Sequence, residues 1–240
     1  MNSVSALKPK GEQPLSAVPY HVGIIPDGNR RYARKAGVSV EEGYLAAADK
    51  ALEVIDWCLR AVVRHLSAFG VSRENIAQRP VNEVRWLHKA LLRFCNIVSS
   101  HHEACLHLFG DASGLPSYLP ERDELIRLQD ASSTRDAQLV VHVGVNYSGQ
   151  AELATLIRAV RKHGLSAVET SPEEFALSAG LPPVDLVVRT GGQQRLSGFL
   201  PLQTAYAELW FTPTYWPDFE REEFQDALAW FARQERRFGE

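Results

Sequence analysis

Two hydrophobic rhythms alternate along the chain. Short apolar runs at His21–Ile25, His65–Val71, Cys105–Phe109, Leu139–Val145 and Asp185–Val188 have the length of buried strands. Between them, apolar residues recur at three- and four-residue steps. Leu45, Leu52, Ile55, Leu59 and Val62 do so within Glu41–Arg64, which predicts an amphipathic helix. Further helices are predicted over Arg30–Lys35, Val81–Ser99, Arg122–Gln129, Gln150–Lys162 and Glu222–Arg233. Leu209-Trp210-Phe211 is an apolar run with no assigned element.

Strand and helix in alternation predict an α/β fold: a single domain with a largely parallel central sheet flanked by helices, whose ligands gather at the carboxyl ends of the strands. At 240 residues the chain needs no second core. Residues 1–18 mix Ser, Lys, Gly, Gln and Pro without a hydrophobic period and read as a disordered leader, leaving 19–240 as the folded domain.

Composition narrows the function classes. A net charge of −3 gives no general attraction to nucleic acid. No run approaches the roughly 20 apolar residues of a membrane span, and the polar N-terminus lacks a signal-peptide core, so no integral membrane segment and a cytoplasmic location are expected. Cys58, Cys95 and Cys105 lack CxxC spacing and read as buried free thiols. His101, His102 and His107 lack a ligand set at a recognised zinc spacing.

The chemistry sits in two loops. Pro26-Asp27-Gly28-Asn29-Arg30-Arg31 lies where the first strand gives way to a helix, placing free backbone N–H groups and a favourable dipole beside cationic side chains. A carboxylate in such a phosphate cradle implies an intervening divalent cation, magnesium; an N-cap aspartate accounts for Asp27 equally well on this segment alone. The segment from Arg189 through Thr190, Gly191 and Gly192 to Arg195 and Ser197 follows the fifth strand and suits a second diphosphate, because guanidinium forks match phosphate oxygens; the plainer alternative is a surface loop with an ion pair. Glu208 has apolar neighbours, and an isolated buried carboxylate is costly unless paired or metal-bound.

The strings HVGIIPDGNRRYARKAG, SRENIAQRP, DLVVRTGGQQRLSGFL and YAELWFTPTYWPDF, with the terminal ERRFG, closely resemble the cis-prenyltransferase family typified by undecaprenyl diphosphate synthase, in order from His21 to Gly239. The resemblance implies a homodimeric prenyltransferase using magnesium. It makes Asp27 the metal-binding aspartate, and Gly28, Asn29 and Arg31 the cradle for the allylic diphosphate that ionises, with Arg30, Tyr44 and Arg79 as further contacts. Arg189, Arg195 and Ser197 then grip the second diphosphate, Glu208 assists the metal, and Ser72 and Asn75 match the polar pair near the reacting carbons.

Departures from the family pattern are equally informative. Val40 stands where a diphosphate-binding Arg is usual, Tyr44 where a His is, Ile76 where a Trp is, Gln193 where a Glu is, and Pro201-Leu202 replaces Leu-Trp. This combination resembles the lavandulyl-type subgroup, that of cyclolavandulyl diphosphate synthase, which joins two allylic diphosphates head-to-middle. The resemblance therefore implies condensation of dimethylallyl diphosphate with a second dimethylallyl or geranyl diphosphate to a branched product. Misplacing reacting atoms by about 1 Å is enough to redirect a bond. The alternatives are a head-to-tail synthase adding isopentenyl diphosphate and a non-catalytic subunit. The absence of GxGxxG and GxxxxGK[ST] strings weakens a nucleotide-binding reading. Trp57, Phe69, Leu91, Phe94, Val141 and Val143 are candidate walls of a tail pocket, with ordinary core as the plainer account.

Overall fold

The strand β1 (His21–Ile25) organises the molecule: all five residues are buried, and it is hydrogen-bonded in parallel to β2 (His65–Ser72) on one side and β5 (Leu186–Arg189) on the other. In the computed structural model, which describes residues 18–131 and 137–236, β3 (Ala104–Gly110), β4 (Leu139–Tyr147) and β6 (Glu208–Phe211) complete a six-stranded sheet in the order β3-β4-β2-β1-β5-β6. Every pairing is parallel. Residues buried on both faces explain why the strands read as continuous apolar runs rather than alternating ones. The expected single-domain α/β architecture is therefore the one the chain adopts; all but Val18 of the leader falls outside the described residues.

Among the described residues seven α-helices connect the strands, α1 (Asn29–Ala36), α2 (Val40–Arg60), α3 (Arg73–Gln78), α4 (Val81–Ser99), α5 (Arg122–Asp130), α6 (Gly149–His163) and α7 (Leu165–Thr170), and an eighth, α8 (Arg221–Phe231), follows β6. α2 begins at a capping box, in which Ser39 accepts from the Glu42 N–H and Glu42 accepts from the Ser39 N–H. It ends four residues before the predicted Arg64. Val62 adopts a left-handed φ of 61° and is 72% exposed, because the chain must reverse there to feed β2. The sequence reading also passed over α3, α7 and β6. The first two have six residues each, too short to build a periodic signal, and β6 is the apolar run Leu209-Trp210-Phe211 with Glu208 before it.

One sheet face, carrying Val22, Ile24, Leu66, Leu106, Val141 and Val143, packs beneath α2, α4 and α8 in the main core. Leu91 and Phe94 belong to it and Trp57 borders it, packing near Phe219 and Phe224. Phe69, grouped with them as a pocket wall, lies in the other core, beside Phe199 and Tyr147. The three cysteines are free and buried.

That second face also carries a row of imidazoles across four adjacent strands. His65 Nδ1 lies 2.9 Å from His142 Nε2, and His142 Nδ1 lies 2.8 Å from His107 Nδ1. Burial, with His65 nearby, pushes the His21 pKa from 6.5 to about 3, and burial beside Arg64 takes His65 to about 4. His21 is thus neutral: its Nδ1 faces the carbonyls of Pro182 and Pro183 and donates, which leaves Nε2 to accept from the Ser67 hydroxyl at 2.7 Å.

Candidate active site

Strand order reverses about β1: the chain places β2, β3 and β4 on one side, β4 inserting between β2 and the edge strand β3, then returns to place β5 and β6 on the other. Ligand sites form at such a switch point, outside the carboxyl ends of the strands. Asp27 follows β1, and Thr190 follows β5; the two strands are paired at Ile25 and Arg189. The backbone interlocks there: Asp27 N–H donates to Thr190 Oγ1 at 3.0 Å, and the Thr190 hydroxyl donates to Asp27 O at 2.8 Å.

The two predicted diphosphate loops therefore meet, and they meet at the Asp27 carboxylate. Oδ1 accepts from Gly28 N at 2.6 Å and Arg31 Nη2 at 3.2 Å; Oδ2 accepts from Arg189 Nη2 at 2.9 Å. Partial burial raises the carboxyl pKa, but the Arg189 hydrogen bond and charge, the Arg31 charge and the Gly28 N–H outweigh it and hold the group below its ordinary value. Asp27 is not the helix cap: Gly28 occupies the N-cap of α1, with φ 106°, and no side chain caps it. A Cβ at Gly28 would meet Tyr215 Cδ1 at 2.8 Å, and one at Gly191 would meet Arg31 Nη2 at 2.7 Å, so these glycines allow the loops to close on each other.

Arg189 is itself only 4% exposed. Beyond Asp27, its Nη1 donates to the Ser197 hydroxyl at 2.9 Å and to the Arg195 carbonyl. The guanidinium thus ties the second loop to the first. Arg195 projects outward, donating to Gln193 Oε1 at 2.5 Å. Asn29 donates to the Pro26 carbonyl at 3.1 Å, leaving its buried Oδ1 without a partner among the described residues.

On the other flank, Gly43 lets α2 press against α1: its Cβ would meet Ala33 Cβ at 2.9 Å and Asn29 O at 3.1 Å. This brings Tyr44 beside the cradle, where its hydroxyl donates to Glu83 Oε1 at 2.7 Å and accepts from Arg79. Burial raises the Tyr44 pKa further above its ordinary value, with Arg79 opposing. Ser72 ends β2 at the same end of the sheet and caps α3, accepting from Asn75 N at 3.1 Å.

Glu208 is where geometry departs from expectation. It opens β6 in register with Leu186, three residues before Phe211, which pairs with Arg189. At about 3.3 Å per residue that is roughly 10 Å from the Arg189 end. The structure does not bring Glu208 to Asp27, and its partial exposure on an edge strand removes the cost of burial that had singled it out.

Two contributors went unrecognised in the sequence. Tyr215 lies under the Arg31 guanidinium at 5.2 Å, and Glu83 joins Tyr44 to Arg79. Glu83 had a readable signal: an acidic residue entering the apolar stripe of α4 that continues through Val84, Leu87, Leu91 and Phe94.

Among the described residues, no group of three or more His, Cys, Asp or Glu side chains is arranged to hold a metal ion. Asp27 alone fits magnesium in the manner usual at phosphate sites, where one carboxylate is completed by substrate oxygens and water. Both its oxygens are engaged by guanidinium groups, so a metal ion would bind there only once Arg31 and Arg189 turned away from the carboxylate.

A parallel α/β sheet thus brings two cationic loops together across its switch point, at the Asp27 carboxylate. The family model described as putative undecaprenyl diphosphate synthase matches residues 25–239, and the chain belongs to that family, the cis-prenyltransferases. It is 37% identical over 234 residues to the farnesyl-diphosphate-specific ditrans,polycis-undecaprenyl-diphosphate synthase of Pseudomonas syringae pv. tomato, covering 93% of this chain and 92% of that one. Against the geranylgeranyl-diphosphate-specific tritrans,polycis-undecaprenyl-diphosphate synthase of Thermoplasma acidophilum it is 33% identical, covering 92% and 89%. Among solved structures, lavandulyl diphosphate synthase from Lavandula x intermedia, in complex with dimethylallyl diphosphate, superposes with a TM-score of 0.80 at 28% identity, covering 93% of this chain and 99% of that one. Among the described residues no helix is long and apolar enough to cross a membrane.

Proposed function

We propose that this prenyltransferase is a cytoplasmic, magnesium-dependent enzyme that joins dimethylallyl diphosphate to a second dimethylallyl or geranyl diphosphate head-to-middle, giving a lavandulyl-type diphosphate. The observation that carries two diphosphate sites is the Arg31–Asp27–Arg189 chain of contacts, which ties both cationic loops to one carboxylate. The interior between α2, α4 and the sheet, where Cys58, Leu91, Phe94, Val98 and Val141 are buried, supplies the apolar surroundings that a prenyl tail requires. The likeness to a lavandulyl diphosphate synthase supports the branched product.

In this reading Gly28 N–H, Arg30, Arg31 and Arg79 hold the donor diphosphate, while Arg189, Arg195 and Ser197 hold the acceptor. Magnesium, when bound, disperses charge on the leaving diphosphate. The donor C1–O bond breaks with its electron pair departing on diphosphate, and the acceptor double bond supplies the pair for the new bond from its C2 to donor C1. The acceptor cation then loses a neighbouring proton to released diphosphate and forms an alkene. Ser72 and Asn75 border the acceptor, and apolar surroundings exclude water from the cation.

The names of the curated relatives favour a second reading, head-to-tail addition of isopentenyl diphosphate. Incubating the protein and magnesium with dimethylallyl diphosphate alone, then with geranyl or isopentenyl diphosphate, and identifying the skeletons separates the two. Branched products are expected, and exclusively linear Z-configured products would overturn the head-to-middle reading. Retention of Asp27, Arg189 and Arg195 argues against a non-catalytic subunit. Leu153, Ile157 and Leu165, each more than half exposed on α6 and α7, give the implied homodimer an apolar surface, which light scattering tests.

A further inference from the structure

A site for a dianion has little electrostatic use for a buried carboxylate, yet Glu83 sits among its cations at 8% exposure. One oxygen, Oε1, is the meeting point of three helical segments. It lies 3.7 Å from Arg30 Nη1 on α1, accepts from the Tyr44 hydroxyl on α2 at 2.7 Å, and lies 3.2 Å from Arg79 Nη1 at the corner between α3 and α4. Arg79 also donates to the Tyr44 hydroxyl, so the tyrosine joins both partners.

We infer that Glu83, locked by Tyr44, is a positioning residue for the donor diphosphate: it pairs the guanidinium groups of Arg30 and Arg79 and fixes them beside the cradle. The inference rests on the proposed function and adds a residue to it. Two flexible arginines confer less affinity when they must be ordered at the moment of binding, and an acceptor that orders them beforehand lowers that cost. Arg30, whose side chain is 57% exposed, has the most freedom to lose.

The sign of one effect tests this. If Glu83 were merely a nearby negative charge, removing it would tighten anion binding. If it positions the arginines, Glu83→Ala weakens binding of inorganic diphosphate with magnesium, measured by calorimetry on the full chain, by about 10- to 100-fold, the size of lost hydrogen bonds to charged groups. Glu83→Gln, which keeps an acceptor oxygen, should lose less than Glu83→Ala. Tyr44→Phe should lose roughly threefold to tenfold, the worth of an ordinary hydrogen bond. Thermal unfolding checks that each variant is folded; should Glu83→Ala fail to fold, the other two carry the test. Variants that bind diphosphate as tightly as the parent, or more tightly, overturn the inference while leaving intact a parent that turns over prenyl diphosphates. A parent that binds diphosphate through Glu83 but leaves prenyl esters unchanged sinks the functional reading and supports this one, and a parent that binds no diphosphate overturns both.

Discussion

The sheet carries two polar clusters, and they handle burial in opposite ways. At the carboxyl ends of β1 and β5, Arg31, Asp27 and Arg189 keep full charges in contact, with Gly28 and Gly191 held in left-handed conformations to let the loops approach. On the second face, His21, His65, His142 and His107 are held neutral and satisfy one another, Ser67 and two carbonyls. A row of four histidines catches the eye as a metal or catalytic site, yet six of its eight ring nitrogens face partners within the fold. Polarity in a parallel sheet marks a site when charge is left facing the strand ends, where a ligand can exchange for the internal partner.

The comparison breaks most visibly at Asp27. Asp27→Ala should cut turnover of dimethylallyl diphosphate by on the order of 10²–10³-fold, the loss expected when one preorganised charge-stabilising group is removed. Circular dichroism and thermal unfolding should show an intact fold. Retained turnover would mean that the cationic loops meet for structural reasons alone. His142→Leu should do the reverse: it strands His65 and His107 without their partner and costs about 1–3 kcal/mol of stability, read by denaturant unfolding. Its turnover at a temperature where the variant is folded should stay within about twofold of the parent.

Much of this contrast was legible beforehand. Among the described residues, five of six strands and six of eight helices announce themselves as apolar runs or as three- and four-residue apolar periods. Asp27, Arg31 and Arg189 are readable as loop residues between strand and helix, but their mutual contact is not, since it depends on β5 returning to lie beside β1 across more than 160 residues. The histidine row was hidden for the same reason: His21, His65, His107 and His142 are separated by whole βα units and become neighbours only through sheet register. The apolar neighbours of Glu208 suggested burial, whereas its strand is an edge and its register sets it at the start of β6, opposite Leu186.

Acid sharpens the comparison further. His21 and His65 have folded pKa values of about 3 and 4 against an ordinary 6.5, so below pH 6.5 the unfolded chain binds protons that the folded chain refuses. Stability therefore rises with pH across the window from about 4 to 6.5 and falls as pH drops through it. The depressed Asp27 carboxyl acts in the same direction at lower pH, where protonation removes its pairing with the arginines. Melting temperature measured from pH 7 to pH 4.5 should decline, and His65→Asn should flatten that slope; an unchanged slope would mean that the row is already protonated in the fold.

The smallest effect is expected from a charge that lies near the cradle without entering it. Lys35 ends the same helix that Asn29 opens, pairs with Asp218 at 3.3 Å and lies over the Tyr215 ring, as Arg31 does. Its side chain is 71% exposed, so water screens the pair and the lysine gives up rotamer freedom to make it. Lys35→Ala should change stability by no more than about 0.5 kcal/mol and leave turnover within about twofold. Arg31→Ala, one helical turn earlier, removes a contact to Asp27 Oδ1 and should weaken donor binding clearly. Equal losses in the two variants would show that the site senses the summed positive field of α1 rather than the contact at Asp27, and the distinction between interlocked and peripheral charge would have to be given up.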